Sequence, residues 1–452
     1  MSYSDEQYYE DMATAEKVVG YEFYRGFYAD AERRRVLENG HPLPIPLTQK
    51  EFEVLEFFLK NPNKLIAREA VEPLGQTVGR PPVDNYLSKI ARKLGVDSDD
   101  LFTLTRNLGY SFEANVHPIF ASDREEAGDI FKASEMHFNT HTIASMRESL
   151  KQSLRALEIN PYGLPEAHVT VAYDYINLGM AAYSAELPNT VIPKARQHAA
   201  DAFKMDPNSS RALGVLGLIS LIYDYDWEKA KTQLEGALEL NPADAATLLS
   251  YAHFLVGSGR LDEAIKAAEK AARIDPTDLI IHSSVGWFHL FAGDVRRAIE
   301  LGEKSKFLYP DFPPAYLILG WAYEAAGRYE DAQQHYETSL DKEYSPAALA
   351  SLGHLQGTLG DRRKALAILK ELNQLCESGS VSYVPSYCRA LVLAGLNEVG
   401  ECLDALEHAC EQRCDWLIHL AVERRWAPVT QSARFKRLMQ KVGVTSPPDL
   451  FS

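Results

Sequence analysis

Four cations stand close together between Arg80 and Lys93: Arg80, Lys89, Arg92 and Lys93, against one acid, Asp84. A local charge of this sign is a surface for phosphates, because affinity for a polyanion follows local clustering, not the sum over the chain. That sum is −16 over 452 residues, yet residues 21–115, with 13 Lys/Arg against 14 Asp/Glu, contribute only −1 to it. A second group with chemical capacity lies near the other end. Cys376, Cys388, Cys402, Cys410 and Cys414 fall in the last fifth of the chain, an odd and clustered set without CxxC that suits reduced thiols. Cys410, Cys414, His408 and His419 could gather round a metal, but their spacing fits no common zinc pattern. Small apolar helix positions accept cysteine readily, so structural thiols are expected. Catalytic signatures are missing: there is no GxxxxGK[ST], no HExxH and no GxSxG. GSGR at Gly257–Arg260 lacks a preceding strand, and His253, His282, His289 and His354 stand singly on helical stretches. Neither an enzyme nor a cofactor is expected.

The elements that carry these residues are set by an internal period. Prolines close helical runs at Pro161, Pro207, Pro242, Pro276 and Pro310, and the last three intervals are 35, 34 and 34 residues. Each follows a similar ending: ALEINP, AFKMDP, ALELNP, AARIDP, KSKFLYP. A small residue recurs in the first helix of seven units (Ala172, Gly217, Ala252, Gly286, Gly320, Gly353, Ala390), with a partner in the second (Ala195, Ala230, Ala264, Ala298, Ala332, Ala365, Cys402), while a degenerate first unit has His137 there. Two antiparallel helices joined by a short turn need such residues where they cross. The turns GSGRLDEA, AGDVRRA, AAGRYEDA and LGDRRKA put glycine where a helix should end. This pattern resembles the tetratricopeptide repeat over about residues 130–416, in eight units: 130–163, 164–210, 211–244, 245–278, 279–312, 313–345, 346–380 and 383–416. An insertion at 180–193 breaks the period, and residues 417–452 are expected to form a helical cap over the last apolar face. Tyr173, Tyr175, Tyr223, Tyr225, Tyr316 and Tyr323 are expected mostly in packing, with a concave groove for an extended or helical peptide as the alternative.

Residues 22–115 read differently. EFYRGFYADAERRRVLENGHPLPIP alternates short apolar stretches around Asn39-Gly40, which predicts a small antiparallel sheet. LTQKEFEVLEFFLKNP predicts a helix with a capping box of Thr48 and Glu51 and a buried stripe of Leu55, Phe58 and Leu59. KLIAREAVEPLG predicts a short second helix, PPVDNYLSKIARKLG a third, and LFTLTRNLGYSFEANV two strands with a turn near Asn107.

That order, with LTQKEFEVL, VDNYLSKIARKLG and TRNLGYSF, resembles the winged-helix DNA-binding domain of the OmpR/PhoB class over about 95 residues. The resemblance implies double-stranded DNA as partner. Asn85, Ser88, Lys89 and Arg92 would face base edges, with Asn suited to adenine and Lys to guanine. Lys64, Arg68, Arg80, Tyr86, Lys93 and Arg106 would contact phosphates or lie in the wing. The sequence departs from the family at Pro81-Pro82, Ala91 and Ser111. One small domain offers few phosphate contacts, which favours a homodimer on direct or inverted half-sites. A winged helix joined directly to repeats is similar to the HilA-like one-component organisation. The expected fold class is mainly α: an N-terminal winged helix (α+β) over 21–116 behind an acidic segment 1–20, a linker 117–129, then an α-solenoid. The expected function is bacterial transcription regulation, the solenoid taking a protein, a peptide or a small-molecule effector. The alternative is a repeat scaffold or adaptor whose winged helix makes protein contacts. No run of eighteen apolar residues and no apolar N-terminal core occur, so a cytoplasmic chain without membrane contact is expected.

Overall fold

The computed structural model describes residues 17–24, 26–38, 41–67, 70–71, 83–105, 108–138, 140–377 and 383–445. Its contacts divide the chain into two units: 1–134 with 151–168 and 204–207, and 135–150 with 169–203 and 208–452.

In the first unit, β1 (Val18–Phe23), β2 (Phe27–Asp30), β3 (Arg35–Glu38) and β4 (His41–Pro42) run as an antiparallel meander. Alternation sorts their side chains: Tyr21, Phe23, Phe27 and Ala29 join one apolar cluster, while Val19, Tyr28 and Leu37 join another beside Tyr162. The turn Asn39-Gly40 lies outside the described residues. The sheet gains a fifth strand, β8 (Val116–Phe120), antiparallel to β1 with Tyr21 opposite Pro118. Proline is accommodated because β8 is an edge strand, where a missing N–H costs no ladder bond. The stretch read as a linker, 117–129, therefore holds a strand and the start of the helix Ala121–Phe138.

The helix Gln49–Leu59 begins at the capping box: the Glu51 amide donates to Thr48 Oγ1 (3.3 Å) and the Thr48 amide to Glu51 Oε2 (2.6 Å). It buries Phe52, Leu55, Phe58 and Leu59. The second helix expected over 64–75 is corrected in part. Ile66–Ala67 form β5, paired with β7 (Gly109–Phe112) through Ile66 and Tyr110, because a partner strand outweighs weak local helix propensity. Most of the remaining stretch lies outside the described residues. The helix Val83–Leu94 and the hairpin of β6 (Phe102–Thr105) with β7 stand where the sequence places them.

Helical pairs follow: Ala121–Phe138 with Ile143–Ile159, Pro165–Gly179 with Pro188–Met205, and six more ending with Ser386–Gly395 and Val399–Glu411. The small-residue partners are buried throughout, with Ala230, Ala264, Ala298, Ala332, Ala365 and Cys402 all without solvent exposure. At Gly320 an added Cβ would sit 2.2 Å from the Tyr336 ring, whereas at Gly286 its nearest neighbour would be 3.6 Å away. The turn residues Gly259, Gly293, Gly327 and Gly360 have φ between 73° and 84°, and Asn397 takes the same left-handed position at 58°. One irregularity has a physical cause. The helix Ser210–Ile219 runs into a π turn, Ser220–Asp224, which adds one residue to a helical turn and accounts for the single 35-residue interval.

After the last pair the chain does more than cap it. Tight turns at Asp415–His419 and Arg424–Trp426 lead to the helix Ala433–Val442, which ends at Gly443 (φ 84°). Arg434 ties that helix to Asp404 and Glu407 on Val399–Glu411. Elsewhere the segment returns across earlier repeats: Trp227 Nε1 donates to the Val442 carbonyl (2.6 Å) and the Thr445 amide to the Gly257 carbonyl (2.9 Å). Ile418 and Val422 join the apolar cluster of residues 169–291, while Leu417 and Leu420 join that of residues 317–444. No described helix is long and apolar enough to cross a membrane.

Candidate functional site

Two sites present themselves, one in each unit. The helix Val83–Leu94 buries Val83, Tyr86, Leu87, Ile90, Ala91 and Leu94. On its other side Asn85, Ser88 and Arg92 are exposed, with Lys89 half-buried and its ammonium 5.9 Å from the Tyr86 ring centroid. The buried side is fixed by polar ties. Tyr110 donates its hydroxyl to Asp84 Oδ1 (2.6 Å), and Lys93 Nζ reaches Glu51 Oε2 (2.6 Å) and the Pro46 carbonyl (2.9 Å). Burial pushes the Glu51 carboxyl up, but the Lys93 ammonium and Thr48 more than offset this and hold it below its ordinary value. Lys93 is thus committed inside the protein, and Tyr86 is only 8% exposed, so both are placed as supports of the helix and not as open phosphate contacts. Lys64 is exposed. Arg68, Arg80 and Arg106, with Pro81 and Pro82, lie outside the described residues. Ala91 is a core position, and Ser111 is buried with its hydroxyl donating to Glu113 Oε1 (2.6 Å).

The second site is a cavity of about 570 Å³ inside the repeat unit. Its walls come from parts far apart in sequence: the helices Ala245–Gly257, Leu279–Phe291 and Pro313–Ala325, the earlier helices Ala121–Phe138, Pro165–Gly179 and Ser210–Ile219, the insertion around Met180–Tyr183, and the returning segment Asp415–His419. Trp287, Trp321 and Trp416 meet there, with ring centroids 5.5, 5.6 and 6.3 Å apart. His253 Nδ1 lies 3.1 Å from His419 Nε2. Burial pushes His253 down to about 4, and burial followed by the neighbouring His253 drives His419 well below its ordinary value, so both rings are neutral near pH 7. One then donates to the other, which leaves His419 Nδ1 unsatisfied. His141 Nδ1, the Tyr183 hydroxyl, Ser283 Oγ and Trp287 Nε1 are likewise buried without a hydrogen-bond partner, and all line this cavity. The insertion is bound to the returning segment, since the Ala181 amide donates to Asp415 Oδ1 (2.9 Å). Burial pushes the Asp415 carboxyl up to about 6.

The structure does not gather the metal-ligand set considered above. Cys410 and Cys414 are buried thiols pushed up by burial, His408 is exposed beside Glu411, and His419 turns to His253. Among the described residues no group of three or more His, Cys, Asp or Glu could hold a metal. His354 pairs with Glu324 (2.6 Å) and His282 Nε2 lies 2.8 Å from the Pro276 carbonyl, both local structural roles. Sequence reasoning passed over Trp287 and Trp416 as site residues and considered His419 only as a metal ligand. The available signal was the loss of the 34-residue period at 180–193 and beyond 416, the two places where the array supplies irregular walls.

Residues 221–285 and 315–347 match family models described as tetratricopeptide repeat. These stretches of the array are tetratricopeptide repeats. Over 138 residues the chain is 26% identical to the transcriptional regulator HilA of Salmonella typhimurium, a stretch covering 30% of this chain and 24% of that protein. The chain thus aligns with about a quarter of that relative's length. Among solved structures, Pseudomonas aeruginosa pilF is 21% identical over 47% of this chain and 91% of that one, with a TM-score of 0.36. The APC/C hetero-tetramer Cut9–Hcn1 is 18% identical over 66% of this chain and 52% of that one, with a TM-score of 0.43.

Proposed function

We propose that this chain is a repeat-based interaction protein whose repeat unit receives a regulatory partner through its interior cavity. The observation that carries this reading is the convergence of five buried, unpaired polar atoms on one cavity. Native interiors pair about 90% or more of such groups, and each one left unmade costs about 1–3 kcal/mol. A bound molecule supplies the missing bonds, and water takes its place when the cavity is free. The groove of the array is not open along its length for a long peptide, since the returning C-terminal segment crosses it. The full chain and its Trp287→Phe/Ser283→Ala variant are to be compared by pull-down and native mass spectrometry. A bound species on the wild type that the variant loses, with equal helical CD, is the expected result. Equal retention by both, or none by either, overturns the reading.

A second reading is favoured by the solvent-facing row of Asn85, Ser88, Lys89 and Arg92 and by the likeness to HilA. Here the N-terminal module is a winged helix of the OmpR/PhoB type. Its helix Val83–Leu94 enters the major groove, the hairpin of β6 and β7 is the wing, and Lys64 adds a phosphate contact. The repeat unit then controls transcription through what it binds. Purified full chain is expected to retard promoter DNA, with affinity falling steeply as salt rises. Lys89→Ala/Arg92→Ala loses that binding with its fold intact. Absence of salt-dependent retardation in the wild type removes this reading and leaves the module as a protein-contact surface.

A further inference from the structure

We infer that the cavity of the repeat unit is shaped for a small organic ammonium ion that also carries a hydrogen-bond acceptor, such as an amino alcohol. This rests on the cavity being a binding site, as above, and adds the chemistry of its occupant. Charge is the first argument. The lining contains five carboxylate residues, Glu135, Asp244, Asp275, Asp278 and Asp415, and one guanidinium, Arg211. The three lining histidines, His141, His253 and His419, are all held neutral near pH 7, chiefly by burial. Three of the acids also have structural duties: Asp244 accepts from the Thr247 amide (3.2 Å) and the Ser210 hydroxyl (2.6 Å), Asp275 from the Thr277 and Asp278 amides (3.0 and 3.2 Å), and Asp278 from the Ile281 amide (2.8 Å). Helix N-termini offset part of that charge. Asp415 receives only neutral donors, the Ala181 amide among them. An anionic occupant would meet five acids with one cation to welcome it.

The aromatic walls give the second argument. Trp287, Trp321 and Trp416 all line the cavity and stand at mutual angles of 37°, 64° and 80°. Indole faces attract organic cations, most strongly where water is excluded. The structure already uses this attraction at one of these rings, because the Arg425 guanidinium lies 4.9 Å over the Trp321 ring. The third argument fixes the acceptor. Trp287 Nε1 is a donor and nothing else, so its missing partner must be an oxygen or nitrogen lone pair. The Tyr183 and Ser283 hydroxyls can serve either way. Size agrees, since about 570 Å³ lies within the range of small-molecule sites and far below that of a folded partner.

The test uses the full chain with choline, ethanolamine and two controls. One control is 3,3-dimethyl-1-butanol, the neutral isostere of choline; the other is glycolate, an anion with the same hydroxyl. Thermal melts and calorimetric titration are expected to show binding of choline or ethanolamine, with the isostere weaker by about tenfold or more and glycolate silent. Asp278→Asn keeps a good helix cap and so keeps the fold. It is expected to weaken the ammonium probe severalfold while leaving the isostere unchanged. Trp287→Phe is expected to weaken both. Equal binding of choline and its isostere, or preferred binding of glycolate, overturns the ammonium assignment but leaves the cavity as a binding site. Silence of every probe also overturns the assignment. If the species retained by the full chain in the pull-down then persists, only the ammonium chemistry falls; if none is retained, the binding reading falls with it.

Discussion

The two candidate sites treat their polar side chains in opposite ways. Around the helix Val83–Leu94 the inward polar groups find partners within the protein: Glu51 with Lys93, Asp84 with Tyr110, Ser111 with Glu113. The groups without such ties, Asn85, Ser88 and Arg92, stand in solvent, where water satisfies them at no cost. At the cavity of the repeat unit five unpaired groups are buried, and they face a common space. An exposed polar face can wait for a ligand indefinitely. A buried one carries a desolvation penalty until something fills it, so it says more about an occupant than any surface patch does.

The strongest way to break this contrast is to remove the wall that closes the cavity. Trp416 touches Trp287, Trp321 and Tyr387 and is 6% exposed. Trp416→Ala is expected to cost about 3–5 kcal/mol. Hydrogen exchange should report the loss in the repeats around 253–321 and leave protection in β1 to β3 unchanged. The matching cut in the other unit is Lys93→Ala, which strands the buried Glu51 carboxylate and is expected to cost about 3 kcal/mol. Denaturant melts followed on the helix Gln49–Leu59 check it, and restoration by Lys93→Arg is not expected, since the longer planar group does not fit the same pocket.

A finer probe lies within the repeats. Gly320→Ala drives a methyl into the Tyr336 ring and is expected to cost about 1–3 kcal/mol. Gly286→Ala meets nothing closer than 3.6 Å and should be neutral or stabilising by up to about 1 kcal/mol. Thermal melts of the pair separate close approach from mere helix propensity.

Asp174 sharpens the comparison through pH. Burial, opposed by the Ser149 hydroxyl, pushes its carboxyl from 3.8 up to about 8. A folded value above the unfolded one means the protonated form stabilises the fold below 3.8 and that this contribution drains away as pH rises toward about 8. Asp174→Asn should therefore match the wild type in acid and exceed it in stability at the upper end of that window; parallel melting curves at all pH values would refute this. The smallest stability effect is expected at Lys89→Ala/Arg92→Ala, within about 0.5 kcal/mol because these groups meet solvent. The same change is the one expected to abolish DNA retardation.

Much of the repeat array was legible because its rules are local. Small residues at fixed spacing, glycine past a helix end and proline at the next start each act within one or two turns, and the structure shows them as buried crossings and left-handed φ values. Thr48 and Glu51 were legible for the same reason. The π turn at Ser220–Asp224 was visible as one extra residue in a count, though not as a shape. Ile66–Ala67 and Val116–Phe120 were not legible as strands, since two to five residues acquire strand character only from the partner they meet. Lys93 is a similar case: its spacing on the helix is that of a solvated cation, and only Glu51, 42 residues earlier, decides otherwise.

By itself the amino-acid order determined the helical pairs, their turns and their crossings, because those follow from contacts between near neighbours in the chain. Tertiary structure alone decided that the C-terminal segment returns through the array, and with it the cavity. Trp227 and Val442 are 215 residues apart, and His253 and His419 are 166 apart. No periodic pattern spans such distances. Those contacts exist because the apolar side chains of the returning segment leave water when they join the apolar clusters of the repeats.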